Sequence, residues 1–410
     1  MPNSYSVITQ ITNESMRVAH QSLKFLGTID RQYDDSFAKS GAKIGSSLRV
    51  RKPDEFTVST TSRVMDLQEQ AEGYETITLA SQYHVDMYMT SDEMTLSLDK
   101  LSERKIQPAV KRLVSKVESV VLQGCTKGTY NCQGSAGTAL AASASLAAFT
   151  GARARINQGL APMSDRHLQI DSVSMGSVVD GVKGLFAPEP KLSKAFNEGY
   201  YGRAIGCDWY ENDHVYTHTV GSDATGSTDA SAAVTDGGTA VTPDSSGDTM
   251  SLLAGDVFTI AGVFACHPET KVAYPYLQQF TVVSGTTAIL EISPPTYLTG
   301  AKQNVCSSAG AALATTDFND KTITVVGTAS SSYREPLMYH KEAFAFVTAD
   351  LPLFSGADKC ARLTEDGLSL RVWQDGDIIN DRMLLRIDML FGYKVLRPAW
   401  ACRLIGSASA

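Results

Sequence analysis

The sequence predicts an α+β fold interrupted by an inserted antiparallel β module, and three observations carry that prediction. Ile106, Ala109, Val110, Leu113, Val114, Val117, Val120 and Val121 recur at i, i+3, i+4 and i+7, the spacing of one apolar helix face. In "ETITLASQYHVDMYM", residues 75–89, Ile77, Leu79, Tyr83, Val85, Met87 and Met89 alternate with Thr78, Gln82, His84 and Asp86, the period of a strand. Residues 221–333 hold three lysines, no arginine and ten acids, a net charge of −7, whereas the rest of the chain nets −1. So abrupt a change marks a separate module.

The elements follow in order. In "SVITQITNESMRVAHQSLKFLG", Ile8, Ile11, Val18, Ala19, Leu23 and Leu26 fall on one helical face, giving an amphipathic N-terminal arm. Next come "SLRVRKPDEFTV" and "YETITLASQYHVDMYM", two strands joined by the charged "STTSRVMDLQEQAEG". As one strand, residues 75–89 would extend about 50 Å at roughly 3.3 Å per residue. A core of ~150 residues has a radius of only about 15 Å, so the hairpin is expected to lean on something outside it. In the long helix "IQPAVKRLVSKVESVVL", Pro108 sits in the first turn and Gly124 is placed to end it. "SASLAAFTGARARINQG", "DGVKGLFAPE" and "SKAFNEGYYG" read as helices around a strand "HLQIDSVS". The module opens on the low-complexity "GSDATGSTDASAAVTDGGTAVTPDSSGD", then shows "DVFTIAGVF", a hairpin turning at Ser284-Gly285, and "KTITVVG". No helical period separates these runs, so the module is expected to be barrel-like. Three strands, "EAFAFVTADLP", "GLSLRVWQDG" and "RMLLRIDMLFGYKVLRP", follow, with Asp-Gly turns at 366–367 and 375–376.

Composition excludes several classes. With 43% hydrophobic and 20% charged residues the chain is an ordinary globular one of two or three domains. No apolar run nears the ~18 residues a bilayer requires, and the start lacks the features of a signal peptide. The expectation is folding in a cytoplasm without a membrane. Seven cysteines without close-paired spacing suggest free thiols.

The search for chemistry is equally sparse. There is no Gly-Lys dipeptide for a phosphate loop, no Gly-x-Ser-x-Gly elbow and no dinucleotide fingerprint. His214 and His218 have zinc-helix spacing without the glutamate base, and on a strand would stand about 13 Å apart. They read as half-exposed strand histidines. Cys125 and Cys132 read as loop thiols, and Asp375 and Asp377 as turn residues beside Gly376. The cluster Arg49, Arg51 and Lys52 lacks the interleaved aromatics of a nucleic-acid site. No catalytic, metal or cofactor site is expected.

This order of parts resembles the major capsid proteins of tailed bacteriophages with the Hong Kong phage capsid fold, and most of all the P22-like coat proteins with an inserted β-barrel domain. The resemblance is carried by "GRAIGCDWYENDHVYTHTVGSDATG", "LLAGDVFTIAGV", "LEISPP", "EAFAFVTADLP" and "FGYKVLRPAWACRLIG". It implies an N-terminal helical arm at 1–42 and an extended hairpin loop at 43–90. A spine helix and peripheral domain would occupy 91–160 with 334–395, an axial α+β domain 161–220 with 396–410, and the inserted domain 221–333. It also implies hexamers and pentamers of an icosahedral shell enclosing double-stranded DNA without sequence-specific binding, a scaffolding protein, a portal protein and assembly in the host cytoplasm. The hairpin would lie over a neighbouring subunit, with Arg49, Arg51, Lys52, Asp66, Glu69 and Glu72 as candidate interface charges. Two alternatives stay open: a bacterial nanocompartment shell and a β-rich carbohydrate-binding or adhesive protein.

Overall fold

The computed structural model describes residues 11–19, 23–31, 47–51, 73–90, 105–140, 146–182, 202–223, 225–227, 234–243, 251–285, 289–353 and 359–406, with positions 56, 65 and 67. The chain divides into two compact units. The first comprises Met1–Arg51, Tyr74–Val121 and Phe344–Leu396, and the second Lys52–Gly73, Leu122–Ala343 and Arg397–Ala410.

In the first unit the 75–89 stretch is two strands, not one. Tyr74–Thr78 pairs antiparallel with Ser47–Arg51, Arg49 opposite Thr76 and Val50 opposite Glu75. After a break at Leu79 and Ala80, Ser81–Thr90 pairs over its full ten residues with Arg382–Val395. The support expected from outside the core is therefore supplied, for residues 81–90, by a strand some 300 residues along the same chain. Gly392 is needed at the break, because a Cβ there would lie 2.5 Å from the Thr78 carbonyl oxygen. Arg382–Val395 also pairs with Phe344–Ala349 and with Leu368–Asp377, which pairs in turn with Lys359–Glu365, making a five-stranded sheet.

That sheet is knit by a buried charge. Asp388 accepts from Arg371 Nε at 3.0 Å, from Gln82 Nε2 at 3.0 Å and from Arg386 Nε at 3.3 Å. Gln82 thus spends its nominally outward side on the neighbouring strand. Val50, Ile77, Leu79, Ala345, Val347, Ala349 and Leu396 form the adjoining apolar cluster.

The helix Gln107–Lys127, whose residues through Val121 belong to this unit, buries Val110, Leu113, Val114, Val117 and Val121. Its lone acid, Glu118, is buried because it accepts from the Phe25 amide at 2.6 Å and the Lys24 amide at 3.3 Å. Gly124 does not end the helix, which runs on to Lys127. Residues 11–19 are helical, as the arm pattern predicts.

The second unit holds two large sheets. A seven-stranded antiparallel sheet runs in the order Gly238–Val241, Leu290–Thr296, Ala273–Gly285, Val257–Cys266, Thr322–Val325, Thr225–Ser227, with Val305–Cys306 also on Val257–Cys266. All of it falls within the acidic stretch. Phe258, Ile260, Phe280, Val282, Ile292, Phe318 and Ile323 fill its core. Ser284 and Gly285 remain in strand, opposite Glu291 and Leu290, so the hairpin turns beyond them. The chain enters and leaves this sheet side by side, Thr217–Thr219 pairing antiparallel with Ser332–Arg334.

The other sheet has six strands, in the order Cys132–Gly134, Ala401–Ile405, Leu337–His340, Arg166–Ile170, Cys207–Glu211, Arg203–Ala204. The helix Ala147–Gln158 buries Phe149, Ala152 and Ile156 in one cluster with Leu168, Ile170, Trp209, Met338 and Leu404. The strand expected to include "DSVS" stops at Ile170, and Ser172–Val182 is helical. Asp171 caps it by accepting the Ser174 amide at 3.1 Å. The helices read at "DGVKGLFAPE" and "SKAFNEGYYG" lie almost wholly outside the described residues.

Two further details of the sequence reading are corrected. Asp375 and Gly376 are paired strand residues opposite Leu384 and Met383, so the turn lies beyond them, at 378–381. The strand Lys359–Glu365 has no alternating apolar pattern and was not expected.

Candidate assembly surface and the seat of the inserted module

The charged hairpin is the surface singled out by the sequence. Arg49 and Arg51 both fall on the exposed side of Ser47–Arg51, while Val50 between them is buried. The Arg49 guanidinium carbon stands 4.9 Å above the Tyr74 ring, a cation–π contact that holds the side chain along the strand. Glu75, which faces Val50 in register, pairs with Lys394 Nζ at 3.5 Å. Lys52, Asp66, Glu69 and Glu72 lie outside the described residues. The structure therefore brings Arg49 and Arg51 together on one strand and says nothing of the acidic half of the set.

The residues weighed as catalytic or metal-binding have structural places. His218, read as half-exposed, is buried, and its Nε2 lies 2.7 Å from Asp256 Oδ1. Asp256, fully buried, also accepts from the Leu253 amide at 2.7 Å and the Gly221 amide at 3.2 Å. This carboxylate ties the incoming neck strand to the first turn of the acidic module. His214 sits in a turn, its amide bonded to Asn212 Oδ1 at 3.0 Å. The two histidines do not share a strand face. Among the described residues no group of three or more His, Cys, Asp or Glu side chains is placed to hold a metal.

All seven cysteines are free thiols. Cys125 and Cys132 are not loop thiols: both are buried, Cys125 in the long helix, and burial pushes the Cys132 thiol up to about 12. Asp377 accepts from Asn380 Nδ2 at 2.7 Å, Ile379 N at 3.1 Å and Arg382 Nε at 3.1 Å, a turn clamp and not half of a catalytic pair.

The residue that sequence reasoning missed is Arg403. It is completely buried on the Ala401–Ile405 strand, between Cys132 and Leu337 in register. Its Nε donates to the Thr129 carbonyl at 2.7 Å, Nη1 to the Gly255 carbonyl at 2.7 Å and to Glu335 Oε2 at 3.0 Å, and Nη2 to Thr281 Oγ1 at 2.9 Å. The Thr281 hydroxyl in turn donates a hydrogen bond to the Lys127 carbonyl at 2.9 Å. One guanidinium thereby joins the C-terminal end of the long helix, Glu335 just past the exit strand, and the Gly255 turn and Thr281 strand of the module. Gly255 allows that approach: its φ is +105°, and a Cβ there would lie 2.9 Å from Lys127 Cγ. A second tie is Arg155, whose guanidinium lies 3.2 Å over the Tyr276 ring. Buried arginine in "ACRLIG" gives no sequence signal beyond its apolar neighbours.

Residues 217–406 match the family described as P22 coat protein, gene protein 5. No curated protein matches the chain. Among solved structures, one from Mycobacterium phage Che8 is similar at 9% identity and TM-score 0.47, over 93% of this chain and 90% of that one. The capsid structure of cyanophage P-SCSP1u is similar at 14% identity and TM-score 0.46, over 89% and 84%. A virus-like particle from Pyrococcus furiosus is similar at 9% identity and TM-score 0.39, over 97% and 98%. The matched residues run unbroken from the neck strand Thr217–Thr219 through the module and the exit strand to Ala401–Ile405 and its Arg403. Just under half of the chain, residues 217–406, is therefore similar to the P22 coat protein family.

Proposed function

We propose that the chain self-assembles as hexamers and pentamers into an icosahedral shell around double-stranded DNA, with a scaffolding protein and a portal protein, in the host cytoplasm. The observation that carries this reading is the match of residues 217–406 to the P22 coat protein family, which takes in both the acidic module and the strands that seat it. Within the shell, residues 43–90 act as the extended loop laid against a neighbour, with Arg49 and Arg51 among its interface charges. The module at 221–333 steadies the subunit through Arg403, Asp256 and Arg155 and bonds it to neighbours. No described helix is long and apolar enough to cross a membrane. A net charge of −8 suits a container that encloses DNA without gripping it.

Negative-stain microscopy and light scattering of the purified chain, with and without a scaffolding protein from the same source, test the proposal. Closed shells of uniform diameter are expected. A stable monomer or dimer as the sole species with scaffold present overturns it.

A further inference from the structure

Two of the cysteines meet inside the acidic module. The two-residue strand Val305–Cys306 pairs antiparallel with the end of Val257–Cys266, Cys306 opposite Phe264 and Val305 opposite Ala265, and the Cys266 amide donates to the Asn304 carbonyl at 3.1 Å. Cys266 and Cys306 are therefore diagonal neighbours across the ladder. Cys306 Sγ reaches over the facing strand, 3.8 Å from the Ala265 carbonyl oxygen and 3.9 Å from that of Phe264, and its thiol donates to the Cys266 sulfur.

The two thiols are unequal. Cys306 is pushed up to about 11, first by burial and then by Cys266 beside it. Burial raises Cys266 too, but the hydrogen bond from Cys306 and then the charge of Lys271 oppose the rise. Lys271 Nζ is fixed near the pair, donating to the Ala301 carbonyl at 2.6 Å and the Gln303 carbonyl at 3.3 Å. Cys266 also keeps 6% exposure where Cys306 keeps none. Cys266 is thus the sulfur that meets a small oxidant first, and Cys306 the one placed to resolve it.

We propose that Cys266 and Cys306 form a reversible redox site, kept as thiols in a reducing compartment and closed to a disulfide by a peroxide in an oxidising one. The Cys266 thiolate attacks one oxygen of hydrogen peroxide; an S–O bond forms, the O–O bond breaks, and the departing hydroxide takes up the proton the thiol gave away, leaving a sulfenic acid and water. The Cys306 sulfur then attacks the Cys266 sulfur, the S–S bond forms as the S–O bond breaks, and the hydroxyl leaves with the Cys306 proton as a second water. Two thiols are oxidised and one peroxide is reduced. Diagonal partners stand about 7–8 Å apart at Cα and a disulfide spans up to about 6.8 Å, so closure draws the strands together by roughly an ångström. A two-residue strand with non-strand backbone on both sides accommodates that shift. The chemistry needs only the module's own fold and holds whether or not the chain builds a shell.

The test treats the full chain with hydrogen peroxide under native conditions, quenches by alkylation in denaturant and maps the peptides by mass spectrometry without reduction. A peptide linking Cys266 to Cys306, lighter by two hydrogens and released by dithiothreitol, is expected before Cys125, Cys132, Cys207 or Cys402 reacts. In Cys306→Ser the resolving sulfur is gone, so Cys266 should run on to sulfinic acid; in Cys266→Ser, Cys306 should stay a thiol. Three results overturn the assignment: both thiols still alkylated once Cys360, which is not buried, is fully oxidised; sulfinic acid at Cys266 of the unsubstituted chain without the cross-link; or linkage of either sulfur to a different cysteine. Should a serine variant fail to fold, the map of the unsubstituted chain decides alone.

Discussion

Replacing Arg403 by Met tests the seat of the module most directly. Methionine fills the space of the stem but removes five donors and a charge, leaving Glu335 buried and without its cation. Removing one partner of a buried ion pair typically costs about 3–5 kcal/mol, because the surviving charge is stranded out of water. The Thr129 and Gly255 carbonyls and the Thr281 hydroxyl also lose a partner, so the upper end of that range is expected. For a unit of 150–250 residues each kcal/mol moves Tm by about 2–4 °C, giving a fall of roughly 6–20 °C in the unassembled subunit by circular dichroism or calorimetry. Adding Glu335→Leu removes the stranded charge and should recover part of the loss while leaving the carbonyls unsatisfied. If Arg403→Met shifts Tm by less than about 2 °C, or if the double variant melts below the single one, the guanidinium is not what seats the module.

Other outcomes follow from the same geometry. Arg371→Met should destabilise the five-stranded sheet by about 3–5 kcal/mol, because Asp388 is completely buried, and urea melts of the subunit measure it. His167 and His340 are held below the ordinary histidine value, first of all by burial. A depressed histidine stabilises the fold above its unfolded pKa of about 6.5 and loses that contribution as pH falls below it. Stability should therefore drop below pH ~6.5, and less steeply in His167→Gln/His340→Gln; equal slopes refute the assignment. Of the seven thiols only Cys360 is not buried, so an aromatic disulfide reagent should titrate it first in the native subunit and reach the others on unfolding. Arg49→Glu/Arg51→Glu should leave subunit melting unchanged and raise the assembly threshold, each exposed pair contributing about 0.2–1 kcal/mol. Assembly with unchanged yield and salt dependence would make these charges surface dressing.

Periodicity reported what each element buries and failed where tertiary structure rewrites a local pattern. Val110, Leu113, Val117 and Val121 could be read as a helix face because one stripe of that helix meets apolar neighbours. The 75–89 alternation was legible too, but its interruption was not: nothing in "TLAS" announces that Thr78 ends one ladder and Ser81 begins another. That division is imposed by the close approach of Gly392. Gly124 misled because a glycine can be carried inside a helix whose next turn is still bonded, and Asp375-Gly376 misled because strand pairing outlasted a turn-like dipeptide. The acidic module was visible as a charge discontinuity. What fastens it was not, since Arg403, Asp256 and His218 act by meeting partners far away in sequence, and a pattern within ten residues cannot contain them.

Those distances set an order of events during synthesis. Thr129 precedes Arg403 by 274 residues, and Gly255 precedes Arg403 by 148. At about 5–20 residues per second, roughly 7–30 s separate the appearance of the Gly255 carbonyl from the arrival of its donor. In that interval residues 225–325 have all the strands of their own sheet, while Glu335 emerges as an acid with no cation. The six-stranded sheet still lacks the Ala401–Ile405 strand that sits between Cys132–Gly134 and Leu337–His340. The acidic module is thus free to form first, and the unit beneath it locks only when the 403rd residue clears the ribosome. A nascent chain stalled before residue 401 should present a folded module on an open base, the state most exposed to premature association with other chains.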